Sequence, residues 1–164
     1  MSRLPVLIGF GLSLLLLPCV AMAAPADSVD FRLDDYRWEH RLVFVFAPTD
    51  TAGAVESQRR QFRNARDGFR DRDLLLIMLS GSRGGTLHPA PEEPGRPLTR
   101  AATQRLYDQF DVPEDAYRVV LVGKDGTEKR REAEPIPVRS LFETIDAMPM
   151  RQREMREDGE DPPG

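Results

Sequence analysis

Leu42-Val43-Phe44-Val45-Phe46-Ala47 is the stretch from which the fold can be read. It is an unbroken apolar run, rich in β-branched and aromatic residues, with no polar residue in alternation. Such a run describes a strand covered on both faces, as in a parallel or mixed sheet flanked by helices. Pro48-Thr49-Asp50-Thr51 closes the run, and Asp50 or Thr51 can cap a following helix. That helix is predicted from about Ala52 to Phe69, with Val55, Phe62, Ala65 and Phe69 on one stripe. Glu56 with Arg60, and Arg63 with Asp67, stand four apart, so part of its charge is paired locally. Leu74 to Leu79 then repeats the pattern of a buried strand.

Further out, Ser80 to Pro97 is crowded with Gly and Pro and has no period, which predicts a long loop, functional or disordered. Thr99 to Phe110 reads as a helix with Ala102, Leu106 and Phe110 inward. Tyr117 to Val122 is a third strand, Gly123-Lys124-Asp125-Gly126 a tight turn, and Thr127 to Glu132 its hairpin partner. Val138, Leu141, Phe142 and Ile145 supply the stripe of a last helix that Pro149 ends. Leu33 to Arg41 is expected to be a short helix or turn feeding the first strand. The order is βαβαββα. The expected fold class is therefore α/β: a thioredoxin-like three-layer sandwich with a central mixed four-stranded sheet, one domain over residues 33–150. Residues 24–32 are expected to be a flexible lead-in and 151–164 a charged, disordered tail.

The amino terminus sets the expected compartment. Met1-Ser2-Arg3 gives one positive charge, Leu4 to Val20 an apolar run, and Ala21-Met22-Ala23 the small-x-small pattern of signal-peptide cleavage. Residues 1–23 are thus expected to be removed, and the mature chain to be periplasmic or secreted with no membrane span. Pro18 before Cys19 argues against a lipoprotein site. Cleavage there would take away the one cysteine, and with it thiolate catalysis, disulfides and cysteine-bound metal. Without Arg3 the charge count is 22 basic against 27 acidic, a net of about −5, which argues against a nucleic-acid partner.

Several blocks resemble a bacterial family known as domain of unknown function 4174. The opening is Leu33-Asp34-Asp35-Tyr36-Arg37-Trp38 with Arg41-Leu42-Val43-Phe44-Val45-Phe46-Ala47-Pro48. Later blocks are Asp71-Arg72-Asp73-Leu74, Val120-Leu121-Val122-Gly123-Lys124-Asp125-Gly126 and Ile145-Asp146-Ala147-Met148-Pro149-Met150-Arg151. The resemblance covers roughly Leu33 to Met155 and implies a thioredoxin-like fold and a location outside the cytoplasm. It also implies kinship with domains of secreted sushi-repeat-containing and matrix-associated animal proteins, where adhesion and glycosaminoglycan binding are discussed. No activity accompanies the family.

Thioredoxin-like reductases carry their thiols just after the first long strand, where this chain has Asp50-Thr51-Ala52-Gly53. Thiol redox chemistry is therefore not expected, and the surface reads as a binding platform. Thr49 and Asp50 are candidates for a polar ligand site at that edge, or a plain helix cap. Lys124, Lys129, Arg130 and Arg131 gather around the hairpin and could hold a polyanion; Glu128 and Glu132 beside them suit a balanced solvated face equally. The arginines of the first helix, Arg59 to Arg70, carry the same two readings. Trp38 is expected to pack against the sheet, with Arg37 stacked on an aromatic face.

Other chemistry has little support. Met148, Met150 and Met155 read as core packing more than as a soft metal site, and His40 and His88 lack metal-ligand spacing. Gly81-Ser82-Arg83-Gly84-Gly85 lacks the ending of a phosphate-binding loop, and no serine sits in a nucleophile elbow. No metal or cofactor is expected. The functional expectation is an exported, non-redox thioredoxin-like binding module whose partner is a protein or anionic polymer of the envelope. The rival is a cysteine-independent enzyme, such as a hydrolase, using the Asp50 region with Arg37 or Lys124.

Overall fold

A computed structural model describes residues 27–48, 52–81 and 84–159 of the chain. The expected signal peptide, Cys19, Thr49 and Asp50 lie outside the described residues. The elements run as a 3-10 turn (Leu33–Tyr36), β1 (Arg41–Phe46), α1 (Ala52–Arg63), α2 (Arg66–Asp71), β2 (Leu74–Leu79), β3 (Gly85–His88) and β4 (Arg96–Pro97). They continue with α3 (Arg100–Phe110), β5 (Arg118–Val122), β6 (Glu128–Glu132), α4 (Val138–Asp146) and α5 (Pro149–Glu157).

The sheet is mixed and its order is β4-β3-β2-β1-β5-β6. β1 is parallel to β2 and antiparallel to β5, with Arg41 opposite Leu74 and Leu42 opposite Val122. Every residue of β1 is buried, as its apolar run requires. The period of two divides it between layers. Leu42, Phe44 and Phe46 pack with Leu106, Tyr107 and Phe110 of α3, while Val43 and Val45 pack with Phe62, Phe69, Leu141 and Ile145 of α1, α2 and α4. This is the expected three-layer α/β sandwich.

Four expectations need correction. The sheet has six strands, not four, because the segment read as a loop contains β3 and β4. β3 is only four residues long and alternates buried with half-buried, too short a run for its period to show. Gly85 is required there, since a Cβ would lie 2.6 Å from a Leu79 methyl group and 2.9 Å from one of Leu98. The lead-in is structured from Val29, which bridges to Leu98, and Phe31 is buried against Tyr36 with ring centroids 4.6 Å apart. The single long helix is two, broken at Asn64-Ala65, although Phe62 and Phe69 still meet edge to face at 5.1 Å. The tail forms α5 as far as Glu157, with Arg151 and Met155 buried. Pro149 ends nothing; it occupies the first turn of α5, where its missing N–H is not needed.

The helix read over Thr99 to Phe110 is α3. Thr99 caps α3 by accepting the Ala102 N–H at 3.1 Å. Gln58, fully buried, holds the main chain of Ile136 in both directions, donating to its carbonyl at 3.1 Å and accepting its N–H at 2.8 Å. The two rims of the sheet differ from its interior: β4 has two residues including Pro97, and β6 reads Glu128-Lys129-Arg130-Arg131-Glu132. Among the described residues no helix is long and apolar enough to cross a membrane.

Candidate functional site

Strand register brings one set of charged residues to one end of the sheet. β1 and β2 begin there and β5 finishes there, so Asp71 to Asp73, Arg41 and the turn Gly123–Gly126 meet. The junction between α4 and α5 lies over them. Arg41, 1% exposed, donates to the Arg72 carbonyl at 2.9 Å and to both Glu154 carboxylate oxygens at 3.1 and 3.0 Å. The Lys124 ammonium reaches the same carboxylate at 2.9 Å and Asp73 at 2.8 Å. Arg151, also buried, donates to the Asp71 carbonyl at 2.9 Å and carboxylate at 2.6 Å. Arg72 grips Asp146 through two nitrogens at 2.9 and 2.6 Å, its guanidinium carbon 4.4 Å from the centroid of the Phe142 ring.

Arg41, Arg72, Lys124 and Arg151 are thus matched by Asp71, Asp73, Asp146 and Glu154. Burying such ions costs several kcal/mol each, which their attraction roughly offsets, so the network adds little net stability. Its effect is positional. It ties the starts of β1 and β2, the β5–β6 turn and α5 to one another. Burial works against the charged form of Arg151, but hydrogen bonding to Asp71 and the neighbouring carboxylates outweigh it and raise its pKa.

Beside the network opens a cavity of about 560 Å³. Buried Arg41 and half-buried Lys124 line its inner wall, Met148, Pro149 and Met150 supply apolar lining, and Trp38, Lys129 and Arg153 stand at the outside. Trp38 is 62% exposed, which corrects the expectation that it packs against the sheet. Its backbone is left-handed, with φ 69°, and its N–H donates to the Lys124 carbonyl at 2.6 Å. That bond holds the ring outward beside the turn. The Arg37 guanidinium lies 5.7 Å from the indole centroid, the aromatic stacking foreseen for it. Arg37 crosses the turn where Gly126 has φ 77°; a Cβ there would come within 2.9 Å of its Nε. Lys129 bonds Asp125 at 2.7 Å. Partial burial acts to raise the Asp125 pKa, but hydrogen bonds from Lys129 and Thr127 prevail and hold it below the usual carboxylate range.

The structure brings together three of the residues singled out from sequence: Arg37, Lys124 and Lys129. Arg130 points elsewhere, bound to Glu132 at 2.7 Å and to Ser140 and Thr144 of α4 at 2.8 to 3.0 Å. Arg131 pairs with Glu128 through two nitrogens at 2.9 and 2.7 Å, and that hydrogen bonding raises its pKa. The hairpin cations therefore do not form a common cationic surface. On α1 and α2 acids do pair with arginines, but Glu56 pairs with Arg63 and Asp67 with Arg66 and Arg70, in place of the Glu56–Arg60 and Arg63–Asp67 pairs read from spacing; Arg70 also reaches Glu92. Thr49 and Asp50 follow the opposite end of β1 and fall outside the described residues.

Reading the residues alone missed Arg41, Arg72, Arg151 and Glu154. The available signal was a charge heading an apolar run at Arg41, together with the Asp-Arg-Asp block at 71–73. All four blocks that carried the family resemblance converge on this end of the sheet.

The model of the domain of unknown function DUF4174 matches residues 32–154. Coiled-coil domain-containing protein 80 of Danio rerio is 27% identical over 140 residues, covering 78% of this chain and 16% of that protein. Sushi repeat-containing protein SRPX2 of Xenopus laevis is 22% identical over 127 residues, covering 75% of this chain and 26% of that protein. The chain thus spans a small part of these relatives. Among solved structures, the mitochondrial 2-Cys peroxiredoxin of Plasmodium falciparum superposes with a TM-score of 0.54 at 14% identity, over 80% of this chain and 86% of that one. The reduced 2-Cys peroxiredoxin of Plasmodium vivax gives 0.52 at 16% identity, over 74% and 83%. At such identities the likeness is one of fold: thioredoxin-like.

Proposed function

The chain belongs to the DUF4174 family, and on that premise we propose that it is an exported thioredoxin-like domain that works by binding a partner and not by thiol exchange. The observation that carries this reading is the exposed Trp38 beside an apolar and cationic cavity, at the far end of the sheet from the turn after β1. An indole held outward by a left-handed backbone and a main-chain hydrogen bond is a preformed contact group. Sequence supports the rest. The one cysteine is Cys19, inside the apolar run read as a signal peptide, and the sequence following β1 reads Asp50-Thr51-Ala52-Gly53 where thiols would stand. A compact partner segment fits better than a long polyanion, because Arg130 and Arg131 are already engaged within the fold.

Site-specific photo-crosslinking in the envelope tests this, with the reactive side chain at position 38 and, as control, at exposed Gln104 on α3. The expected result is one saturable adduct at position 38, none at 104, and no change in a Cys19→Ser background. Disulfide or peroxide reduction by the full chain that disappears in Cys19→Ser would overturn the reading, as would equal adducts at both positions.

A further inference from the structure

We propose that the Trp38 cavity binds an amphipathic organic anion, its apolar body against Trp38, Met148 and Met150 and its anionic group at Arg153 and Lys129. This rests on the reading of the cavity as the contact surface and names the chemistry it accepts.

Size comes first. About 560 Å³ lies within the range of sites that hold a small organic molecule or a short peptide end. The lining then divides by character. Met148, Pro149 and Met150 form an apolar stretch, and thioethers adapt to the shape of what they cover. Trp38 supplies a flat apolar surface that is mostly exposed, with Arg37 beside the ring.

Charge supplies the second half. The lining has four cations, Arg41, Lys124, Lys129 and Arg153, against one carboxylate, Asp125. Arg41 and Lys124 are matched by Glu154 and Asp73, and Lys129 shares Asp125, which also accepts from Thr127. Arg153 is exposed and makes no hydrogen bond or ion pair among the described residues. One guanidinium therefore remains uncompensated at the mouth. An inorganic anion would leave the indole and thioethers unused, and a neutral apolar molecule would leave Arg153 unanswered. A carboxylate or sulfonate joined to an apolar group answers both.

The same chemistry is presented by a fatty carboxylate and by the carboxyl end of a peptide with an apolar last residue. Titrations of the full chain with two matched pairs separate these sources. One pair is octanoate and octanol; the other is acetyl-Leu-Phe as the free acid and as the amide. Trp38 is the single tryptophan of the chain, so its emission reports occupancy directly. The expected result is a saturable change with the anionic member of at least one pair and binding about tenfold weaker with its neutral counterpart. The pair that binds tighter identifies the source. Arg153→Gln should weaken the anion about tenfold with unchanged thermal unfolding, and Arg139→Gln, an exposed change outside the cavity, should leave it as it is. Equal binding of the neutral members, no effect of Arg153→Gln, or no saturable signal in either pair would overturn the proposal. Should position 38 still crosslink a partner in that event, the binding role stands and only this ligand class falls.

Discussion

Glu154 accepts Arg41 through both carboxylate oxygens and Lys124 through one, so a single acid holds a strand, a turn and a helix together. Replacing it with Gln would leave the 1%-exposed Arg41 guanidinium short of a counter-charge. We expect Glu154→Gln to lower stability by about 3 kcal/mol, near the low end for breaking a buried pair because Glu154 is partly exposed. Urea denaturation should show a lower midpoint with unchanged slope. Arg41→Met should cost less, since it removes the buried charge along with its partner's role. Asp125 makes a separate pH-dependent contribution. Its folded pKa lies below its unfolded value, so the stability it adds is present above the ordinary carboxylate range and fades as pH falls through the folded value. Thermal melts of wild type and Asp125→Asn should therefore differ at pH 7, with the gap narrowing as pH falls below the ordinary carboxylate range. A gap that persists in acid would mean that Asp125 acts through shape alone.

α5 shows how an element can hide in sequence. Met148, Arg151 and Met155 stand three and four apart, the spacing of one helical face, but the middle position is an arginine. With Pro149 read as a stop and charges all around, the segment looks like a solvated tail. The buried ion network makes that arginine an interior residue, and only the three-dimensional arrangement supplies its acids. Met155 is 4% exposed, so Met155→Ala should cost about 2–4 kcal/mol by removing its buried contacts. Circular dichroism with urea denaturation checks this, and an unchanged midpoint would show that α5 does not dock. β1, β2 and β5 were legible because both of their faces are buried and their apolar runs are continuous. β3 and β4 were not, since four and two residues carry no period, and β3 depends on β2 for its pairing as β4 depends on β3.

For the molecule as a whole, the layered fold could be read from order and periodicity, whereas the site could be read only in part. Arg37, Lys124 and Lys129 were visible as cations, and Arg37 and Lys129 pair locally with Asp34 and Asp125; the partners of Lys124, Asp73 and Glu154, come from distant elements that no local pattern joins. One cysteine in the whole chain cannot close an intrachain disulfide, so the thermal midpoint should be the same with and without reductant; a fall with reductant would reveal a covalent link between chains. A last consequence comes from β4 and β6 at the rims. One is two residues with a proline that lacks an amide hydrogen, and the other carries three bases flanked by two acids along its main chain. Neither presents the long row of free peptide groups on which a foreign strand could zip. Recruitment by sheet extension, the mode that shades into fibre growth, is thereby disfavoured from both sides.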